Sequence, residues 1–151
     1  MKKFIFDLQG VLEIKEKLEG QAKVDFGVAR AQLTAEEEKR DALIDERSRY
    51  EKRLCESMSG QLDFIKINRL KNAIENTSDR IRTQESAVRR AERQVESARI
   101  KLNKVVQERK TIEKLREKKF EEYLKETDAE ESKMVDELVS YRYAASGQST
   151  E

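Results

Sequence analysis

The chain has no histidine, no proline, no tryptophan and a single cysteine. Without histidine the commonest general base is missing, and no serine–histidine–aspartate set can be assembled. The usual zinc sites go with it, since one cysteine cannot supply them. Cys55 cannot close an intramolecular disulfide and says nothing of an oxidising compartment. It reads as a small filler near a helix end rather than a reactive thiol. No stretch approaches the ~20 apolar residues of a membrane span. The opening Met1-Lys2-Lys3-Phe4-Ile5-Phe6 is similar to the start of a signal peptide, but Asp7, Gln9 and Gly10 end the apolar run too early. The expected location is the cytoplasm. There is no glycine-rich phosphate loop. Carboxylate pairs such as Glu121–Glu122 and Glu130–Glu131 fall on exposed helix, without the burial that separates two pKa values. The expectation is a protein that is not an enzyme and holds no cofactor, metal or small-molecule substrate.

Charged residues make up 42% of the chain and hydrophobic residues 36%, too few apolar residues for the core of a compact domain of 151 residues. Disorder is one outcome of such a composition, but disordered segments do not keep a heptad phase. Here one is kept. Leu70, Ile74, Thr77, Ile81, Gln84, Val88, Ala91, Val95, Ala98, Leu102, Val105, Arg109 and Ile112 follow one another at alternating gaps of four and three. A narrow apolar seam of period 3.5 on a charged helix is the pattern of a left-handed coiled coil. No proline interrupts it. A second seam runs Ala22, Phe26, Ala29, Leu33, Glu36, Arg40, Leu43, Arg47, Tyr50, Leu54, mostly polar from Glu36 to Arg47. Polar seam residues sacrifice stability and fix register. Before it, Phe4, Phe6, Leu8, Val11, Leu12, Ile14 and Leu18 open the first helix. The alternation of Phe4, Phe6 and Leu8 suits a strand, but the spacing of Leu8, Val11, Leu12 and Lys15 suits a helix better.

The one credible break is Ser57-Met58-Ser59-Gly60-Gln61, with Asp63 or Ser59 as the cap of a second helix. The predicted fold is all-α: a long two-helix antiparallel coiled-coil hairpin in one domain, 1–151. Helix one spans about 5–57, the turn about 58–62, helix two about 63–143, and a flexible tail 144–151. If the turn centres near Gly60, residues whose numbers sum to about 121 lie opposite each other. Glu36, Glu37, Glu38 and Asp41 then fall opposite Arg80, Arg82, Arg89 and Arg90. Each exposed pair contributes at most about 1 kcal/mol; a buried seam Leu, Ile or Val contributes roughly 1.5–3 kcal/mol. The seam therefore decides stability, and the charges select orientation.

Helix two is the longer, so residues 114–143 are left with little or nothing opposite them. That stretch carries Leu115, Phe120, Tyr123, Leu124, Met134, Val135, Leu138, Val139 and Tyr141. An apolar stripe without intramolecular cover suits a partner protein, with aromatics as anchors. Charge is uneven as well. Residues 80–104 hold eight basic and three acidic side chains, a net of +5; residues 121–137 hold two and eight, a net of −6. The acidic stretch reads as a docking end for a basic surface. The net charge of the whole chain is +1, which gives no overall field for nucleic acid or membrane.

Two stretches resemble one family. Phe4-x-Phe6-x-Leu8-x-x-Val11-Leu12-x-Ile14-Lys15 is similar to the start of many flagellar export proteins of the FliJ family. Glu113-Lys114-Leu115, Glu121-Glu122-Tyr123, Lys133-Met134-Val135-Asp136-Glu137-Leu138 and Tyr141-Arg142-Tyr143 are similar to that family's C-terminal end. The resemblance implies a soluble, cytoplasmic part of the bacterial flagellar type III export apparatus, peripheral to the inner membrane. It implies a fold similar to the central stalk of rotary ATPases, and a chain that sits in the export ATPase hexamer and stimulates it. The export gate's cytoplasmic domain and export chaperones are the other implied partners. Carried onto this chain, the ATPase would be bound through Leu8, Leu115, Phe120, Tyr123, Leu124, Met134, Asp136, Glu137, Leu138 and Tyr141. Arg89, Arg90 and Arg93 are weaker candidates for the gate or chaperones. The alternatives are the equivalent stalk of an injectisome, a self-associating structural coiled coil, and a nucleic-acid-binding helix using the 80–104 patch.

Overall fold

The computed structural model describes residues 3–147. Among them there are two helices and no strand: α1, Gln9–Met58, and α2, Phe64–Gly147. Both are uninterrupted, as expected of a chain without proline. Their ends are made locally. The Gln9 amide donates to the Phe6 carbonyl at 3.0 Å, and the Leu12 amide to the Leu8 carbonyl at 2.9 Å. At the far end of α1 the Ser59 hydroxyl donates to the Glu56 carbonyl at 2.8 Å, occupying an acceptor that the next turn would have used. Asp63, not Ser59, caps α2. Its Oδ1 accepts from the amides of Ile65 at 3.1 Å and Lys66 at 3.4 Å, satisfying two of the four free donors of a helix start.

The outer ends of the two helices differ from the sequence-based bounds. α1 starts at Gln9 rather than near residue 5. In the segment before it, Ile5 is exposed, Phe6 is buried and Asp7 is exposed. Residues 3–6 lie in neither helix nor strand, and Asp7 and Leu8 form a turn. α2 continues to Gly147. Residues 144–147, expected to be flexible, are therefore helical, and the rest of that expected tail lies outside the described residues.

Two compact units are distinguishable, one from Glu19 to Val105 and one from the chain's two ends, up to Leu18 and from Val106. In the Glu19–Val105 unit the two helices run antiparallel. Arg47 Nη1 is 3.5 Å from Ser78 Oγ, Arg80 Nη1 is 3.7 Å from Glu46 Oε2, and Gln84 Nε2 donates to the Glu36 carbonyl at 2.9 Å. Ile67, Leu70, Thr77, Ile81, Val88 and Ala91 are its buried residues on α2. From Ala22 to Leu54, every residue of the α1 seam is half-buried. The expected charge pairing is largely absent. Asp41 pairs with its neighbour Arg40, Arg82 with Asp79 on its own helix, and Arg80 with Glu46. The partners in this unit sum to 120–126 rather than holding at 121, and exposed side chains take whichever opposite charge lies within reach.

Glu36 and Gln84 face each other across this seam. The Gln84 amide also donates to the Glu36 carboxylate. That hydrogen bond, more than the nearby Lys39, holds the Glu36 carboxyl below the usual carboxylate range. A lowered folded-state pKa stabilises the fold at neutral pH, and the contribution is lost as pH falls through it. Two polar residues here still bury less apolar surface than leucines would. The double change Glu36→Leu/Gln84→Leu should therefore raise the urea midpoint. A lower midpoint would mean that the polar contact outweighs apolar burial at this layer.

In the unit built from the ends, Leu12 and Phe6 are buried and Lys15 Nζ bonds Glu108 Oε2 at 2.8 Å. The apolar residues beside them do not all turn inward. Val11, Leu18 and Ile14, the last 58% exposed, face solvent. Counted back from Ala22, the four-three rhythm lands on Glu19, Lys15 and Leu12. With Gln9, those are the residues of α1 before Ala22 that are turned from solvent. Once the seam is in phase, a helix cannot rotate to favour a few apolar side chains at its end without unseating the rest.

Candidate functional site

The site is carried by the C-terminal part of α2 and the segment before α1, both in the unit built from the chain's ends. On α2 a new stripe starts one position out of phase with the seam. Phe120, Leu124, Thr127, Glu131, Met134, Leu138 and Tyr141 again step by four and three, so they share one face.

The N-terminal segment lies against the start of this stripe. The Phe4 ring meets the Phe120 ring edge-on at 5.2 Å between centroids and at 75°, and it meets Tyr123 at 5.5 Å and 51°. Phe120 and Tyr123 stack at 6.2 Å and 25°. Each such pair adds about 0.5–1.5 kcal/mol beyond the area it buries. Residues 114–143 were expected to have little or nothing opposite them; Phe4 lies against Phe120 and Tyr123. The cover is partial: Tyr123 is half-buried and Phe120 remains 44% exposed.

Beyond Thr127 the helix is bare. Every described residue from 128 onward is exposed. Among the predicted contacts, Met134, Asp136, Glu137, Leu138 and Tyr141 lie there, and Tyr141 is 74% exposed. Leu115 and Leu124 are exposed nearer the Phe4 cluster, and Leu8 at the turn before α1. Val135, Val139 and Tyr143 join the same bare stretch. Phe4, the residue that completes the aromatic cluster, was not among the predicted contacts. The register of the facing pairs, carried on to Phe4, was the available signal. Arg89, Arg90 and Arg93 belong to the other unit, exposed on α2. Arg89 and Arg93 border a shallow hollow with Glu92 and Glu96, and Glu96 is engaged by Arg99, its Oε2 accepting from Arg99 Nε at 3.0 Å.

Large exposed apolar patches mark protein or membrane contact sites, ligand grooves or aggregation-prone surface. Among the described residues no group of three or more metal-ligating side chains is arranged to hold an ion, and no helix is long and apolar enough to cross a membrane.

The family described as "Flagellar FliJ protein" matches residues 4–148. The chain belongs to the FliJ family. Membership makes it a type III export-associated protein, of flagellar protein transport. A solved chain described as a YscO homolog, CT670, from Chlamydia trachomatis shares the fold, with a TM-score of 0.57 and 22% identity over 98% of this chain and 100% of that one. No curated protein matches the FliJ-family chain described here.

Proposed function

We propose that this FliJ-family chain is a non-enzymatic stalk that binds and stimulates the flagellar export ATPase ring and links it to the export gate and to chaperones, in the cytoplasm beside the inner membrane. One observation carries the reading. The part of α2 beyond Thr127 is exposed throughout, yet it presents Met134, Val135, Leu138, Val139, Tyr141 and Tyr143. Apolar side chains left bare on a helix of a charge-rich chain are explained by a partner that covers them. The acidic balance of residues 121–137 gives that partner a basic face. Leu8, Leu115, Phe120, Tyr123, Leu124, Met134, Leu138 and Tyr141 supply the contact area, with Asp136 and Glu137 as charged contacts. Arg89, Arg90 and Arg93 are proposed for the gate or chaperones.

The test is ATP hydrolysis by the purified export ATPase with and without this chain. Hydrolysis should rise on addition, and the chain alone should hydrolyse nothing. Tyr123→Asp places a charge in the aromatic cluster and should lower the stimulation about tenfold or more. A chain that neither binds nor stimulates the ATPase, together with normal swimming by a Tyr123→Asp strain, would overturn the proposal.

A further inference from the structure

A groove of about 650 Å³ lies between the N-terminal segment and α2. Phe4 and Ile5 form one wall; Tyr123, Thr127 and Met134 lie along the other. Its rim is acidic. Glu122, Glu126, Glu130 and Glu131 border it against two cations, Lys3 and Lys119. Glu122, Glu126 and Glu130 follow at intervals of four, which sets like charges above one another on one helix face and weakens the helix.

Elsewhere on α2 some carboxylates, though not Glu85 beside Arg82 and Arg89, pair with a basic residue one turn away. Glu96 does so with Arg99, Glu113 with Arg109 and Asp79 with Arg82. Lys125 and Lys133 stand three positions after Glu122 and Glu130. Even so, among the described residues none of the four groove carboxylates makes an ion pair.

We infer that this groove seats an arginine-bearing segment of the partner protein, its guanidinium among Glu122, Glu126 and Glu130 and its aliphatic stem against Phe4, Tyr123 and Met134. Charge complementarity selects a cation. The aromatic and thioether walls select one with a long apolar stem and a flat face that lies on rings, which favours arginine over lysine. Because Phe4 supplies one wall, the segment before α1 is part of the docking surface. The inference rests on the proposed function for the identity of the partner, the export ATPase.

The experiment compares two doubly substituted full chains of equal charge. Glu126→Gln/Glu130→Gln removes two groove charges, and Glu121→Gln/Asp128→Asn removes two charges outside it. Circular dichroism first confirms equal helix content, which these exposed, near-isosteric changes should preserve. Affinity for the purified ATPase should fall about tenfold for the groove pair and under about threefold for the other. The groove pair should also flatten the dependence of affinity on salt. Equal losses for the two pairs would overturn the inference and leave the proposed function standing. A second probe separates the failures: a labelled helical peptide with two arginines on one face, beside its lysine counterpart. If the unsubstituted chain does not bind the ATPase, the proposed function falls. The peptide then decides the groove: arginine bound more tightly than lysine, and weakened by the groove pair alone, upholds it, and any other pattern removes it.

Discussion

Aspartate in place of Val88 should unfold the Glu19–Val105 unit at temperatures where the unsubstituted chain is folded. Val88 is 3% exposed, between the buried Ile81 and Ala91 on the same seam. The substitution removes an apolar contact and leaves a carboxylate without water or partner, a loss of about 3–5 kcal/mol. Against a total stability of roughly 5–15 kcal/mol for an ordinary domain, that is a fifth or more. Arg89→Asp, one residue along and exposed, should shift stability by no more than about 0.5 kcal/mol. Thermal melts followed by circular dichroism check both. Similar shifts for the two would mean that surface charge, not the seam, holds the helices together.

Removing everything from residue 128 onward should do the opposite. Each described residue there is exposed, so the deletion takes away almost no packing. Urea unfolding should move by about 0.5 kcal/mol or less, while the helical signal falls only by the share of helix removed. Stimulation of the ATPase should disappear with the stretch that carries Met134, Leu138 and Tyr141. Val88→Asp costs the fold, and the truncation costs the partner. A truncated chain that still stimulates fully would move the contact to the Phe4–Phe120–Tyr123 cluster, and one that unfolds would show that the bare stretch supports the hairpin.

The long seam was legible because phase is a collective property. Thr77, Gln84 and Arg109 were assigned to it by rhythm alone, against their polarity, and all three are buried or half-buried. The start of α1 was not legible, because apolarity was weighed residue by residue. Val11, Ile14 and Leu18 look like core by type, but the rhythm assigns the inward positions to Leu12, Lys15 and Glu19. At the candidate site the bare stripe was legible in outline, and its beginning was misplaced. Register arithmetic assumed helix against helix. Phe4 and Phe120 nevertheless sum to 124, inside the 120–126 spread of the other facing pairs, so the same arithmetic carried on to Phe4 reaches Phe120; helix one was expected to start at about residue 5, and that left Phe4 out. The groove depends on that contact and on which side of α2 each carboxylate stands, and neither is a matter of composition.

The brief connection between α1 and α2 also sets an order of assembly. Arg47 and Ser78 are 31 residues apart in sequence, Glu36 and Gln84 are 48, and Lys15 and Glu108 are 93. Entropy lost in closing a loop grows with its length, so pairing should zip outward from Ser59–Asp63. Phe4 and Phe120 meet last. By the same logic they part first, and the aromatic end can loosen and re-form around an incoming protein while the contacts near the bend stay closed.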